Sequence, residues 1–207
     1  MVMPKIKFEQ LIENLTINQL SLETEIQSFC FSKVKSGGDT LVLTSKTQET
    51  IISILAGIVE VLQTPADDDA PRILIVAPSK EICLEIESLW LKISKRTQMI
   101  HTLVFEQGDK VKQRIALFNG ADIVIGTPKR LNEMYFQNGL NINKLKYFIV
   151  FEAEKCVKAS SVIHIARMTD SFPKCQKWIV DSVEGKNTLK LTDEILENAT
   201  NVDELNA

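Results

Sequence analysis

Histidine is scarce in this chain: His101 and His164 are the only two in 207 residues, and the four cysteines (Cys30, Cys83, Cys156 and Cys175) form no Cys-x-x-Cys pair. A zinc site draws on closely spaced Cys and His ligands, so no metal centre is expected and the thiols are read as reduced and buried. Long apolar runs are missing too. None approaches the roughly 18 residues a bilayer-spanning helix needs, and the opening MVMPKIKFEQ lacks the apolar stretch of a secretory signal. These absences imply a soluble, intracellular protein without membrane contact. There is also no internal repeat and no low-complexity tract.

What is present suits one domain. A hydrophobic fraction of 44% in 207 residues buries one substantial core. The formal net charge of -3 argues against a protein that coats itself with nucleic acid. Between Pro71 and Ser160, however, 14 Lys and Arg stand against 9 Asp and Glu, while the two flanks hold 10 against 18. The middle is thus weakly basic, which fits an anionic partner there or an ordinary fluctuation of charge along a solvated surface.

Strand-length apolar runs alternate with helix-period segments. Strands are predicted at Thr40 to Leu43, Ile73 to Ala77, Ile100 to Phe105, Ile123 to Gly126, Tyr147 to Phe151 and Trp178 to Val180. Helices are predicted at Gln48 to Gln63, Lys80 to Lys95, Val111 to Phe118, near Leu131 to Phe136, and at Ser160 to Met168. The loop TPADDDAP, with two prolines and three adjacent aspartates, separates the first helix from the second strand. Such alternation gives an α/β fold with a mostly parallel central sheet, helices on both faces, right-handed crossovers, and any ligand at the carboxyl ends of the strands. The domain is read as residues 1–187. The acidic segment 188–207 is read as a C-terminal helix or linker with a frayed end.

Five stretches carry the motifs: SLETEIQ, GGDTLVLTSKTQETI, RILIVAPSKEICLEI, NGADIVIGTPKRL with LKYFIVFEAEK, and CQKWIVDSVEG. Their order and spacing resemble the N-terminal RecA-like domain of DEAD-box RNA helicases over roughly residues 6 to 185. That resemblance implies a RecA-like three-layer sandwich. It also assigns each stretch a task.

Phe8 and Gln27 resemble the Q motif, whose glutamine reads adenine, with Glu23 in place of the usual proline. Counted without gaps, the phosphate-binding loop Ala-x-Thr-Gly-x-Gly-Lys-Thr falls on Thr44 to Ile51. Thr47 and Glu49 then replace both glycines, Thr50 the lysine and Ile51 the magnesium-binding hydroxyl. Glycines allow successive backbone N–H groups to curl around phosphate oxygens. A gapped alternative makes Lys46 and Thr47 the Lys-Thr pair, shortens the loop by four residues and still supplies no glycine. At the Asp-Glu-Ala-Asp position stand Phe151, Glu152, Ala153 and Glu154. Phosphoryl transfer needs the first carboxylate for magnesium and the second for the attacking water, so Glu152 alone lacks a metal partner. Phe151 is expected to fill the vacated space. Asp181, Ser182 and Val183 occupy the Ser-Ala-Thr position.

The segments tied by resemblance to the RNA backbone keep more of their character. Pro78, Ser79, Lys80 and Glu81 match Pro-Thr-Arg-Glu, although Ser79 also reads as an ordinary helix cap. Gly108 survives from a Gly-Gly turn. Thr127, Pro128 and Arg130 match Thr-Pro-Gly-Arg, with Lys129 in place of glycine.

The expectation is therefore a catalytically inactive DEAD-box-like domain, a pseudo-helicase without ATP or magnesium. It would act through single-stranded RNA, through protein partners or through self-association. Two alternatives stand beside it: a scaffold without RNA binding, and a divergent but active ATPase built around Lys46 and Glu152. Similarity to the helicase-like parts of Tudor-domain proteins adds the germline piRNA pathway as an expected setting. The expected location is the cytoplasm or ribonucleoprotein granules, with the nucleus as an alternative.

Overall fold

The computed structural model describes residues 4–66 and 70–204. The three aspartates of the TPADDDAP loop lie outside the described residues. In chain order the elements are α1 (Glu9–Ile17), α2 (Glu25–Ser36), β1 (Thr40–Leu43), α3 (Thr47–Leu62), β2 (Ile73–Val76), α4 (Lys80–Ile93), β3 (His101–Val104) and α5 (Lys110–Phe118). They continue with β4 (Ile123–Gly126), α6 (Pro128–Phe136), β5 (Tyr147–Phe151), α7 (Ala153–Ala159), α8 (Val162–Thr169), β6 (Gln176–Asp181), α9 (Lys186–Ile195) and β7 (Thr200–Asp203).

The seven strands pair in the order β3-β4-β2-β5-β6-β1-β7, every pairing parallel. The inner strands β1, β2, β4 and β5 are buried at every position, as a sheet covered on both faces requires. The edges differ: β3 and β7 alternate between more and less exposed positions. One face packs on α1 to α4 through residues such as Leu11, Phe31, Ile54, Ile58, Trp90 and Ile149. The other packs on α5 to α9 through Leu117, Leu131, Phe148, Ile165 and Leu191. Each such side chain, fully removed from water, contributes about 1.5–3 kcal/mol before conformational entropy is set against it.

Local chemistry explains where the helices begin. Thr24 and Gln27 form a reciprocal capping box at α2, Ser79 caps α4, Asp109 accepts from two N–H groups of α5, and Pro128 opens α6 at a position that needs no donor. Two glycines are set by close approach. A Cβ on Gly57 would lie 3.0 Å from Val34 and 3.1 Å from the Phe31 carbonyl, so this glycine lets α3 seat against α2. One on Gly126 would lie 2.4 Å from the Val104 carbonyl, where β4 turns into the Thr127 segment beside β3.

The predicted strands and helices appear within a few residues of their expected limits. In the segment read as a helix or a linker, α9 covers Lys186–Ile195, with Leu191 and Ile195 buried, and the chain then adds β7 alongside β1. Backbone pairing with a buried neighbour outweighs the polar composition of Thr200–Asp203, where Val202 alone offers apolar bulk to the core.

Candidate functional site

The carboxyl ends of β1, β2, β4, β5 and β6 bring the motif residues to one edge of the sheet, as parallel α/β topology dictates. At β1 the connection to α3 is three residues long, Thr44, Ser45 and Lys46, and contains no glycine. The helix starts at Thr47, with Lys46 as its N-cap, the pair that the gapped register singles out. Thr50 and Ile51 consequently lie inside α3 and are buried, with the Thr50 hydroxyl returned to the Lys46 carbonyl. Thr44 is fully buried; its hydroxyl donates to Glu204 Oε2 at 2.8 Å and accepts from the Lys46 N–H at 3.0 Å. Glu49, in the first turn of α3, accepts from the Thr24 hydroxyl at 3.5 Å. Two carboxylates, Glu49 and Glu204, therefore border this turn.

Gln27 is committed locally. Its Oε1 accepts from Thr24 N–H and its Nε2 donates to the Ser21 carbonyl, both at 3.0 Å, and the residue is buried. Phe8 precedes α1, and its N–H donates to Glu60 Oε2 at 3.0 Å. Glu60, a buried residue the motif reading passed over, also receives the Lys7 N–H and the Lys35 ammonium. An acidic residue on the polar side of a largely apolar helix is its only sequence signal.

At the end of β5, Phe151 is buried in the core shared with α1 to α4. Glu152 follows in the left-handed region (φ 54°, ψ 58°), an uncommon conformation for a residue with a side chain. Its Oε1 takes the Lys155 ammonium at 2.8 Å, and its Oε2 is buried without a hydrogen-bond partner. Glu154 turns away toward α9. Burial opposes its ionisation, but the Thr188 N–H, the Lys158 ammonium and both Asn187 donors outweigh that and hold its carboxyl below the usual range. Asp181 accepts from the Glu154 N–H and the Thr188 hydroxyl through Oδ2, each at 2.7 Å, and from the Ser182 N–H through Oδ1. The Ser-Ala-Thr-like segment and the end of the DEAD-like tetrad are thus joined directly, with α9 clamped to both.

The segments expected to face RNA lie at the ends of β2, β3 and β4. Pro78, Ser79 and Lys80 are half-buried and Glu81 is exposed. Ser79 accepts from the Ile82 N–H, and Lys80 lies 5.6 Å from the centre of the Phe105 ring, a cation–π distance. Lys129 is exposed, but its neighbours are engaged inward. The buried Thr127 hydroxyl bonds to the Glu106 carboxylate. Arg130 is 8% exposed; it donates to Gln113 Oε1 at 2.9 Å, to the Glu106 carbonyl at 3.0 Å and to the Gly108 carbonyl at 3.4 Å, and its Nε sits 3.0 Å from Glu133. Thr127 and Arg130 thus tie β3, α5 and α6 together in this structure. Glu106 is what the motif reading missed; it stands one residue ahead of the Gln107-Gly108 turn. Gly108 itself is fixed by Gln113, whose amide nitrogen would lie 2.0 Å from an added Cβ.

Burial pushes the Cys30 and Cys83 thiols up to about 12 and Cys175 to about 11, and raises Cys156 well above its ordinary value. None is poised as a nucleophile. Among the described residues no helix is long and apolar enough to cross a membrane, and no three His, Cys, Asp or Glu side chains gather as metal ligands.

An all-parallel sheet between two helical layers, with a P-loop-like turn after β1 and an acidic turn after β5, defines a RecA-like helicase domain. The DEAD/DEAH box helicase family matches residues 24–182, and the chain belongs to that family. Its similarity extends to a probable ATP-dependent RNA helicase DDX43 from Homo sapiens, 27% identical over 72% of this chain and 23% of the relative. DEAD-box ATP-dependent RNA helicase 14 from Arabidopsis thaliana is 25% identical over 95% of this chain and 33% of the relative. The crystal structure of a DEAD box protein from the hyperthermophile Methanococcus jannaschii superposes with a TM-score of 0.86 at 15% identity, covering 94% of this chain and 53% of that one. The chain spans between about a sixth and about a third of the length of the first curated relatives it matches.

Proposed function

We propose that this domain is a DEAD-box module that does not hydrolyse ATP and instead binds, with RNA as the first ligand class. The observation that carries this reading is the three-residue, glycine-free turn from β1 to α3, in which Thr44 is bonded to Glu204 and to the Lys46 N–H. Its residues do not fit a magnesium triphosphate. The turn is too short to wrap phosphate oxygens, Glu49 and Glu204 place negative charge beside it, and Phe151 offers a ring where a metal needs oxygen.

On the RNA side, Lys80 and Lys129 supply the cationic contacts. Thr127 and Arg130 shape the edge that presents them. This contact is electrostatic, indifferent to base sequence and strongly dependent on salt. Because Glu81 and Glu106 lie among these cations, a protein-binding role at the same edge is the competing outcome. The piRNA setting draws no support from the site.

A divergent ATPase is favoured by one observation, the buried Glu152 Oε2 without a hydrogen-bond partner beside a strained backbone. Calorimetric titration with ATP-magnesium and with a short single-stranded RNA separates the readings. The proposal expects no heat from ATP-magnesium up to about 1 mM, against the 1 μM–1 mM span of typical enzyme KM values. It also expects RNA affinity that falls linearly in log–log with salt and weakens on Lys129→Glu. ATP turnover abolished by Glu152→Gln overturns it; RNA binding absent at about 50 mM salt overturns the RNA half.

A further inference from the structure

The carboxylate of Glu106 occupies the one hydroxyl that the Thr-Pro-Lys-Arg segment can offer. Thr127 is the N-cap residue of α6, where a threonine hydroxyl ordinarily accepts from the first turn of its own helix. Here it makes no such bond and donates instead to Glu106, just past the end of β3. Glu106 is half-buried, and among the described residues its carboxylate has no other hydrogen bond and no ion pair. A charge partly withdrawn from water is thus left with one neutral partner, which compensates it poorly. Nor does the Arg130 tie need this side chain. Arg130 is held by the main-chain carbonyls of Glu106 and Gly108 and by Gln113.

The cations of the edge also lack a bonded anion. Lys80 faces the Phe105 ring, Lys129 is exposed, and neither belongs to an ion pair among the described residues. The acids whose charge they feel are engaged elsewhere or open to water. Glu133, which Lys129 influences, already takes Lys110 and the Arg130 Nε, and Glu81, which Lys80 influences, is exposed. The charge of Glu106 reaches this same region, since it acts on Cys83 in the first turns of α4, the helix that Lys80 opens.

We propose that Glu106 is a built-in competitor for phosphate at this edge: its carboxylate holds, on the Thr127 hydroxyl, the place that a phosphate of single-stranded RNA takes on binding. The inference rests on the RNA reading given above and names what limits it. Binding exchanges one anion for another. The Thr127 hydroxyl passes its hydrogen bond from carboxylate to phosphate oxygen, Glu106 returns to water, and the phosphate gains the field of Lys80 and Lys129. The domain therefore binds RNA more weakly than its cations allow, and residue 106 sets the difference.

The test is a fluorescence titration of the purified chain with a labelled single-stranded RNA of about ten nucleotides at about 50 mM salt. Glu106→Gln is expected to tighten binding by about tenfold, the size of one charge-assisted contact. Glu106→Asp keeps the charge but draws it back from Thr127, and is expected to tighten binding by at least about threefold. Glu85→Gln removes the same charge from an exposed site further along α4, and is expected to change affinity by less than about twofold. In a Thr127→Val background the gain from Glu106→Gln is expected to fall below about threefold, because the two residues act through one contact. Thermal unfolding checks each fold, and should Glu106→Gln fail to fold, Glu106→Asp carries the test. RNA bound equally by the wild type and the Glu106 variants overturns this inference and leaves the RNA reading standing. An equal gain from Glu85→Gln, no gain from Glu106→Asp, or a full gain without the Thr127 hydroxyl also overturns it and assigns the effect to net charge. No RNA binding by any of these proteins overturns both readings. Binding confined to the Glu106 variants upholds the competitor and overturns only RNA binding by the wild type.

Discussion

The hydroxyl of Thr44 donates to the carboxylate of Glu204 at 2.8 Å, across 160 positions of sequence, and so ties the phosphate-loop turn to the end of β7. Thr44 is fully buried, and the Glu204 N–H donates to the Leu43 carbonyl. Replacing Glu204 by alanine leaves a buried hydroxyl without its charged acceptor, a cost of about 1–2 kcal/mol. The expected outcome is a lower midpoint in denaturant with an unchanged slope, and no ATP-magnesium binding gained. Were nucleotide affinity to appear in this variant, the glutamate would be a plug and the turn itself competent.

Phe151→Asp rebuilds the first carboxylate of the family tetrad but places it in a buried apolar setting. Burying a carboxylate without a partner costs several kcal/mol, and removing the ring adds a cavity term, so a loss of about 3–5 kcal/mol is expected. No ATPase activity accompanies it, since the turn after β1 remains short. Thermal unfolding and a phosphate-release assay check both parts.

How far these relationships were legible in the sequence depends on the range of the interaction. Apolar runs such as Ile73 to Val76 and Tyr147 to Phe151 announce buried strands because their neighbours lie on both faces of a sheet. β7 gives no such signal; Thr200–Asp203 is a strand because β1 offers an unpaired edge. The short α7 follows a left-handed Glu152 that no periodicity reveals. At the site, family spacing places Thr127, Arg130 and Phe151 at the carboxyl ends of the strands. It does not reveal Glu106 and Glu204, single acids that tertiary folding brings against Thr127 and Thr44. The sequence pattern therefore locates the edge, and the hydrogen bonds decide which of its side chains are free to act.

Glu154 links stability to pH. Its carboxyl is held below 4.5 in the folded state by donors from Thr188, Lys158 and Asn187. A group depressed in this way stabilises the fold above its unfolded value, and that contribution disappears as pH falls through the folded one. The loss should therefore set in below about pH 4.5. Denaturant titrations between pH 3 and pH 7 are expected to show a shallower acid decline for Glu154→Gln than for the wild type, with the variant weaker at pH 7. Parallel curves would mean that the clamp between α7 and α9 does not depend on the charge.

Arg130 and Lys129 are adjacent in sequence but predict opposite behaviour. Arg130 is buried and donates to Gln113 Oε1 and to the Glu106 and Gly108 carbonyls, so Arg130→Glu forces a carboxylate among acceptors and is expected to cost about 3–5 kcal/mol of stability. Lys129 is exposed, and Lys129→Glu is expected to change stability by less than about 0.5 kcal/mol. If RNA binds this edge electrostatically, Lys129→Glu lowers affinity at about 50 mM salt and flattens the dependence on salt, while the fold is untouched. Loss of RNA binding in Arg130→Glu alone, with Lys129→Glu indistinguishable from wild type, would assign the effect to the collapse of the tie between β3, α5 and α6 and not to a phosphate contact.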